Sequence, residues 1–551
     1  MAENSAAQGN REAAADYIII GAGSAGCVVA NRLTASGRHK VILLEGGPSD
    51  RRLSIQVPIG YGINYNNPTV NWMFESAPIP GFNGRSNYFP RGKILGGSSS
   101  INAMVYSRGQ AADFDAWAAQ GNPGWSWADL LPLYRRLEDH ALGASDWHGA
   151  GGPVHVTEIS KFAHPTCRAF FDGAAELGLG FNPDLNGASQ EGVGHYQITT
   201  RNGLRMSASR AYLWPARGRK NLNIVTGALV QRILFDGDRA IGVEYQGQGE
   251  SKRIYAGREV ILAAGSIGSP QLLQLSGVGP AKDLTPLGID AVHELPAVGA
   301  NLQDHLCYDH IYRCRQATLN QELGPWSGKI LSGLKYLLTR GGPLSLSVNQ
   351  GGGFFKSGPE VEHPDIQLYY SPLTYEHSKQ AGRKRRLMNP DDFPGAIVSV
   401  SPCRPTSRGW LRLKSANPAD APSIEPNYLS TDDDIEILLR GARFLRKLSG
   451  TKAMQGLIET EMKPGPQAVS DADLVADIRA SAYSVFHPVG TCRMGPNARE
   501  DVVDAKLRVH GLTGLRVVDA SIFPLVTSGN TNAPAMLVGE KGADLILEGL
   551  N

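Results

Sequence analysis

Residues 16–30 read DYIIIGAGSAGCVVA: an apolar, β-branched run, then Gly21, Gly23 and Gly26, then small and apolar residues. In that order they predict a strand, a tight turn and a helix. Gly21 suits a turn that a Cβ would crowd, Gly23 lets backbone approach a pyrophosphate, and Gly26 lets the helix pack closely on the strand. Ser24 falls at the start of that helix, where unpaired N–H groups and the helix dipole favour an anion. A second apolar run, VILLE, ends in Glu45, 19 residues beyond Gly26 and placed to bond a ribose hydroxyl. An acid there disfavours a 2′-phosphate. These residues predict a dinucleotide site and leave the choice between FAD and NAD open.

The chain's 551 residues exceed what one hydrophobic core usually sustains, so two domains, or one with a large interwoven partner, are expected. Its 54 Lys and Arg against 52 Asp and Glu leave no long-range field to draw nucleic acid or an acidic surface. A small-molecule protein is expected. Six scattered cysteines are too few for a disulfide framework in this length. The start, MAENSAAQGNREAAADY, has no apolar stretch like a signal sequence, and no later run approaches the roughly 20 apolar residues of a membrane span. The expectation is a cytoplasmic protein without a transmembrane anchor. The basic run RKRR at 383–386 reads as a solvated loop between Gly382 and MNPDDFP, with peripheral membrane contact as the alternative.

Further motifs narrow the reading. Residues 92–109, GKILGGSSSINAMVYSRG, suit a loop pressed against a polar ligand, and GSIGSPQLLQLSGVG at 265–279 follows the strand-like REVILAAG. With NLQDH at 301–305, GLRVVDASIFP at 514–524 and SGNTNAPAMLVGEKGADLI at 528–546, the chain resembles the glucose–methanol–choline (GMC) flavoprotein oxidoreductases. The likeness is to the choline-dehydrogenase-like and L-sorbose-dehydrogenase-like branch. It implies FAD as the cofactor and an α/β, overall α+β, architecture. A Rossmann-like FAD-binding domain over 12–155, 220–310 and 484–551 would be interleaved with a substrate domain over 156–219 and 311–483, built on an antiparallel sheet with helices. The strand-like stretches DIQLYYSPL, GAIVSVSPC and RGWLRLKS agree.

The resemblance also implies residue roles. Gly21, Gly23, Ser24, Gly26 and Glu45 would hold the ADP half, and the backbone of Val230 would meet adenine. Gly97, Asn102 and Ala103 would line the isoalloxazine or ribityl chain, with Asp519 and Ala520 near the pyrophosphate and ribityl region. Some relatives attach FAD covalently through a histidine just before the position of Asn102. This chain has Ile101 there, so non-covalent FAD is expected.

The stretch VFHPVGTCRMG at 485–495 supplies His487, which the resemblance places beside flavin N5, and Asn530 lies 43 residues on. Oxidising an alcohol requires its O–H proton to leave as the hydride moves, and a neutral imidazole can take it near pH 7. Asn530 would hold the substrate oxygen. Val485 and Phe486 would form an apolar wall. Asn532 would cap the last helix, with Pro534 in its first turn, and turn that helix's N-terminus toward the charge of reduced flavin. Where choline-type relatives carry an acidic residue, SVNQGGGFFKS offers neutral Gln350.

The expected activity is oxidation of a neutral primary alcohol, sugar alcohol or polyol to the aldehyde or ketone, with oxygen or a quinone or dye as electron acceptor. Alternatives on the same scaffold are a hydroxynitrile-lyase-like FAD enzyme, a light-driven decarboxylase, and an aryl or furanic alcohol oxidase using oxygen. No metal is expected, because His305, Cys307, His310 and Cys314 match no common zinc spacing.

Overall fold

The structure, a computed structural model, describes residues 13–247, 249–375 and 389–549. The basic run at 383–386 lies outside the described residues.

The opening motif folds as strand β1 (Ala15–Ile20), a glycine turn, helix α1 (Ser24–Thr34) and strand β2 (Val41–Glu45). Strand β3 (Leu222–Thr226) lies parallel to β2, and the end of the long strand β4 (Glu250–Leu262) lies parallel to β1. Leu515–Val517 adds outside β4, also parallel. All five residues of β2 are buried, which is why VILLE is apolar at successive positions rather than at alternate ones. Before reaching that sheet, β4 runs antiparallel to Arg239–Gly247, which in turn pairs with Leu229–Asp236. Helix α2 (Gly265–Leu275) follows β4 directly.

The second sheet begins with strand β5 (Leu306–Cys314), flanked by Ile458–Lys463 and Gly395–Pro402. It continues through Ile366–Ser371 and Gly351–Phe355 to Gly192–His195, every pairing antiparallel. The helix Asp432–Ser449 covers it, burying Leu438, Ala442 and Leu445 in one core with Tyr308, Val398 and Val400. Helix α3 (Trp326–Thr339) follows a short helix, Leu319–Leu323. Helix α4 (Asn532–Glu548) returns to the first sheet and lies against α1, so close that a Cβ on Gly539 would fall 2.8 Å from Cβ of Val28.

Candidate active site

A cavity of about 490 Å³ opens at the carboxyl ends of β1, β2 and β4 and extends to the second sheet. Ligands in doubly wound sheets bind at this end of the strands.

The glycines shape its first part. Gly21 has φ +97°, and a Cβ there would lie 2.5 Å from the Ala263 carbonyl oxygen. A Cβ on Gly26 would fall 2.0 Å from the Gly21 carbonyl, so the start of α1 can meet the turn only without a side chain. A Cβ on Gly23, by contrast, would have no neighbour nearer than 3.7 Å, which leaves bare backbone facing the cavity. Gly97, φ +53°, brings the second glycine loop onto the first, and its Cβ would sit 2.7 Å from the Gly23 Cα. Glu45 accepts from the N–H groups of Ala22 (3.0 Å) and Gly47 (2.8 Å). Burial pushes its carboxyl up to about 7. Val230, Asn102, Ala103 and Ala520 line the same cavity.

Two further contacts set helix starts at the wall. Asp519 accepts from the N–H of Gly265 (2.9 Å) and the hydroxyl of Ser269 (2.5 Å), fixing the first turn of α2. The Ser24 hydroxyl donates to Asn532 Oδ1 at 2.8 Å, joining the starts of α1 and α4. The expected cap thus shifts by one residue: Thr531 holds the cap position without a side-chain bond, and Asn532 is the first helical residue with its oxygen turned to Ser24. The donor set, the two helix N-termini and the glycine cradle fit an extended dinucleotide such as FAD.

At the far end His487 is 8 % exposed and held from both ring nitrogens. His305 Nε2 lies 3.0 Å from the Cys403 carbonyl, which can only accept, so that nitrogen carries the proton. His305 Nδ1 is then the acceptor of a neutral ring, and His487 Nδ1–H donates to it at 3.0 Å. The lone pair of His487 is thereby placed on Nε2, where the Asn530 amide donates at 3.1 Å.

A second relay orients that amide. The Tyr196 hydroxyl donates to the Leu368 carbonyl (2.5 Å), so its oxygen accepts from Gln367 Nε2 (3.0 Å). Gln367 also donates to Asn530 Oδ1 (3.2 Å) while its own oxygen accepts from Tyr369 (2.8 Å). Two backbone carbonyls, of Cys403 and Leu368, therefore fix both the tautomer of His487 and the direction of Asn530. Burial first, then the neighbouring His305 and Arg91, holds the His487 imidazolium well below the usual histidine range, so the ring is neutral at pH 7.

The loop carrying His487 is strained and heavily tied. Phe486 has φ +70°, an uncommon conformation for a bulky residue. Arg91 donates to its carbonyl, Ser484 Oγ accepts its N–H at 2.7 Å, and Asp304 Oδ1 accepts the His487 N–H at 2.7 Å. Burial pushes the Asp304 carboxyl up to about 6. Val485 and Phe486 line the cavity beside Tyr61, Met104, Val348 and Tyr375.

Gln350 does not line it. Its side-chain oxygen accepts the His164 N–H at 2.6 Å, and Asn349, one residue earlier, faces the cavity. A one-residue offset of this kind reverses the face on which a side chain falls. Asp304, Gln367 and Arg91 carry the geometry of the site without having been singled out from the sequence, and His305, weighed there only as a metal ligand, joins them. The one available signal was NLQDH itself, since Asp304 and His305 lie within that motif.

His140, His148 and Asp184 converge away from the cavity. The two rings stack at 3.7 Å with 17° between their planes, so their in-plane lone pairs cannot meet at one ion. His148 is instead bonded to Arg108, Glu138 and Asp184.

Comparison with known proteins adds to this geometry. Two family models, both described as GMC oxidoreductase, match residues 15–307 and 405–539. Over 540 residues the chain is 44% identical to mitochondrial choline dehydrogenase of Homo sapiens, covering 96% of this chain and 89% of that protein. It is 43% identical over 539 residues to an alcohol dehydrogenase [acceptor] of Pseudomonas putida, covering 97% and 95%. Among solved structures, pyridoxine 4-oxidase from Mesorbium loti superposes with a TM-score of 0.87 at 31% identity, covering 97% of this chain and 99% of that one.

Proposed function

Because the chain belongs to the GMC oxidoreductases, FAD-binding enzymes acting on CH–OH groups, we propose that it oxidises a neutral primary alcohol, sugar alcohol or polyol, with His487 as the base and Asn530 as the group that holds the substrate oxygen. FAD, when bound, supplies at N5 the acceptor for the hydride that leaves the carbinol carbon. The observation that carries the reading is the lone pair on His487 Nε2, fixed toward the cavity by the contact with His305 and facing the Asn530 amide.

The substrate hydroxyl takes up the two groups in complementary ways: its hydrogen is given to Nε2, and its oxygen accepts from the Asn530 amide. The hydrogen bond from the amide strengthens as the oxygen gains charge on losing its proton, which favours the transition state over the bound alcohol. Apolar Val485, Phe486 and Met104 exclude water from the carbon. Among the described residues, the carboxylates lining the cavity are Glu45, Asp420 and Asp519. Glu45 and Asp519 belong to the glycine-turn and α2 ends, and Asp420 follows Pro418 and Ala419 beside Gln271, whose side-chain amide donates to the Asp420 backbone carbonyl. None of the three is bonded to His487 or Asn530, and among the described residues this arrangement favours a neutral substrate. Choline is the second reading. The likeness to choline dehydrogenases favours it, and the rings of Tyr61, Tyr369 and Tyr375 on the wall offer faces to a quaternary ammonium.

FAD is held without a covalent bond in this reading, since Ile101 on the cavity wall has no nucleophilic atom. Denaturation should release the yellow colour into the supernatant. Dehydrogenase action with a quinone or dye as acceptor is favoured by likeness to the alcohol dehydrogenase [acceptor], and oxygen is the alternative. The deciding experiment is anaerobic addition of aliphatic, benzylic and polyol alcohols and choline to the purified enzyme, following the visible flavin band. One alcohol class should bleach it, and His487→Ala should keep the colour while slowing bleaching by at least about 10²-fold. An unslowed variant removes His487 from the chemistry, and a band that choline alone bleaches selects the second reading.

A further inference from the structure

Helix α3 is built inside out. In a globular protein an amphipathic helix turns its apolar stripe to the core. Here the buried residues are Ser332 and Tyr336, and the Tyr336 hydroxyl donates to the Gly203 carbonyl at 2.9 Å. Gly328 sits under the preceding turn, where a Cβ would come within 2.3 Å of the Glu322 carbonyl. The large side chains face outward: Trp326, Ile330, Leu331, Leu334, Leu337 and Leu338 are 51–84 % exposed. At 3.6 residues per turn they occupy one continuous arc of about 140°. Phe162, 54 % exposed, continues the patch past the end of the helix, its ring 3.3 Å from where a Gly341 Cβ would stand. Soluble monomers rarely leave so many neighbouring large apolar side chains in water.

Cations border the arc on both sides. Lys329 and Lys335 fall at its two edges on the helical wheel, Arg340 ends the helix, and the Lys329 ammonium lies 5.4 Å from the Trp326 ring centroid. The helix contains no acidic residue. A second copy of this chain seated face to face would bring these cations against one another, whereas an anionic surface would pair with them. No helix of the described residues is long and apolar enough to cross a membrane. An apolar face, flanking lysines whose stems can lie along it, and a tryptophan at one end are the features of a helix lying in the plane of a bilayer surface.

We propose that α3 docks on an anionic phospholipid bilayer, its apolar arc among the upper acyl chains and Lys329, Lys335 and Arg340 at the headgroups. This surface is independent of the catalytic reading. The segments on either side of α3 bury Leu319, Leu323, Leu346 and Val348 in one cluster with Tyr61 and Met104 of the cavity wall. Docking therefore brings the apolar side of the cavity next to the lipid, a favourable position for substrates or acceptors that partition into it.

The test is flotation of the full-length, FAD-loaded enzyme with vesicles of phosphatidylcholine containing phosphatidylglycerol, and with phosphatidylcholine alone. The enzyme is expected to float with the anionic vesicles and to release as salt rises. Leu331→Ser/Leu334→Ser/Leu338→Ser should reduce bound protein about ten-fold or more while keeping the flavin spectrum and the bleaching rate with a water-soluble alcohol. Val469→Ser, exposed elsewhere at 79 %, should float as the parent does. Lys329→Glu/Lys335→Glu should abolish the preference for phosphatidylglycerol. Failure of the parent to float, or equal flotation of the triple variant, overturns the proposal. So does a parent that is dimeric without lipid, becomes monomeric in the triple variant and never binds vesicles, because the occupant is then a second copy.

Discussion

The position of one proton decides what His487 can do. With Nδ1–H given to His305, Nε2 carries the lone pair that the Asn530 amide meets, and its depressed affinity for a proton keeps it unprotonated across the neutral range. A base whose folded pKa lies well below 6.5 is fully available above that value and is lost only as pH falls through its own lower pKa. Anaerobic flavin reduction at saturating alcohol should therefore stay level from pH 7 to 9 and decline only well below pH 6.5. A midpoint near 7 would contradict this. His305→Ala removes the acceptor that selects the tautomer, and bleaching should slow by about 10-fold or more with the flavin spectrum kept. His305→Asn, which restores a side-chain acceptor, should recover part of the rate, whereas a merely space-filling role predicts no such recovery. His487 and Asn530 were singled out from the sequence because each sits in a recognisable motif, and the structure brings them within 3.1 Å of each other. The role of His305 was not, because it depends on a contact across 182 positions and on the carbonyl of Cys403.

Among the elements, the strand, glycine turn and helix at the start of the chain form where the sequence predicts them, because their determinants are local: β-branched residues, a glycine with φ +97° and small residues at the helix start. The demand for glycine is steric and can be tested. Gly97→Ala would set a Cβ 2.7 Å from the Gly23 Cα at a positive φ, forcing the two glycine loops apart. The purified variant should retain much less FAD per chain, read as the visible-to-ultraviolet absorbance ratio, with stability lowered by about 1–3 kcal/mol. A full complement of FAD at unchanged stability would show that the loops can separate freely. The ends of elements were harder to read. Asn532 moved from cap to first helical residue because a partner more than 500 positions away, Ser24, takes its side-chain oxygen. Gln350 turned from the cavity into a bond with His164 for the same kind of reason.

Across the whole molecule, each sheet is assembled from distant segments. The first draws strands from residues 15–45, 222–262 and 515–517, and the second from 192–195, 306–402 and 458–484. Chain removed from the end must therefore damage the beginning. Truncation after Ser484 deletes His487, the strand Leu515–Val517 and α4, and leaves buried α1 residues such as Val28 without their partner. The truncated chain should be insoluble or lack a cooperative thermal transition, and a well-folded, cooperatively melting fragment would refute this dependence.

The sequence by itself determined the dinucleotide turn, the family likeness and FAD as the cofactor, and it pointed to His487 and Asn530 as residues to look for together, because these rest on local backbone requirements and contiguous motifs. Only the tertiary structure decided which nitrogen of His487 holds the lone pair, where Asn532 and Gln350 point, and which face of Trp326–Thr339 meets solvent. That helix carries an ordinary amphipathic pattern, and a pattern states that two faces differ without stating which one the rest of the chain will cover.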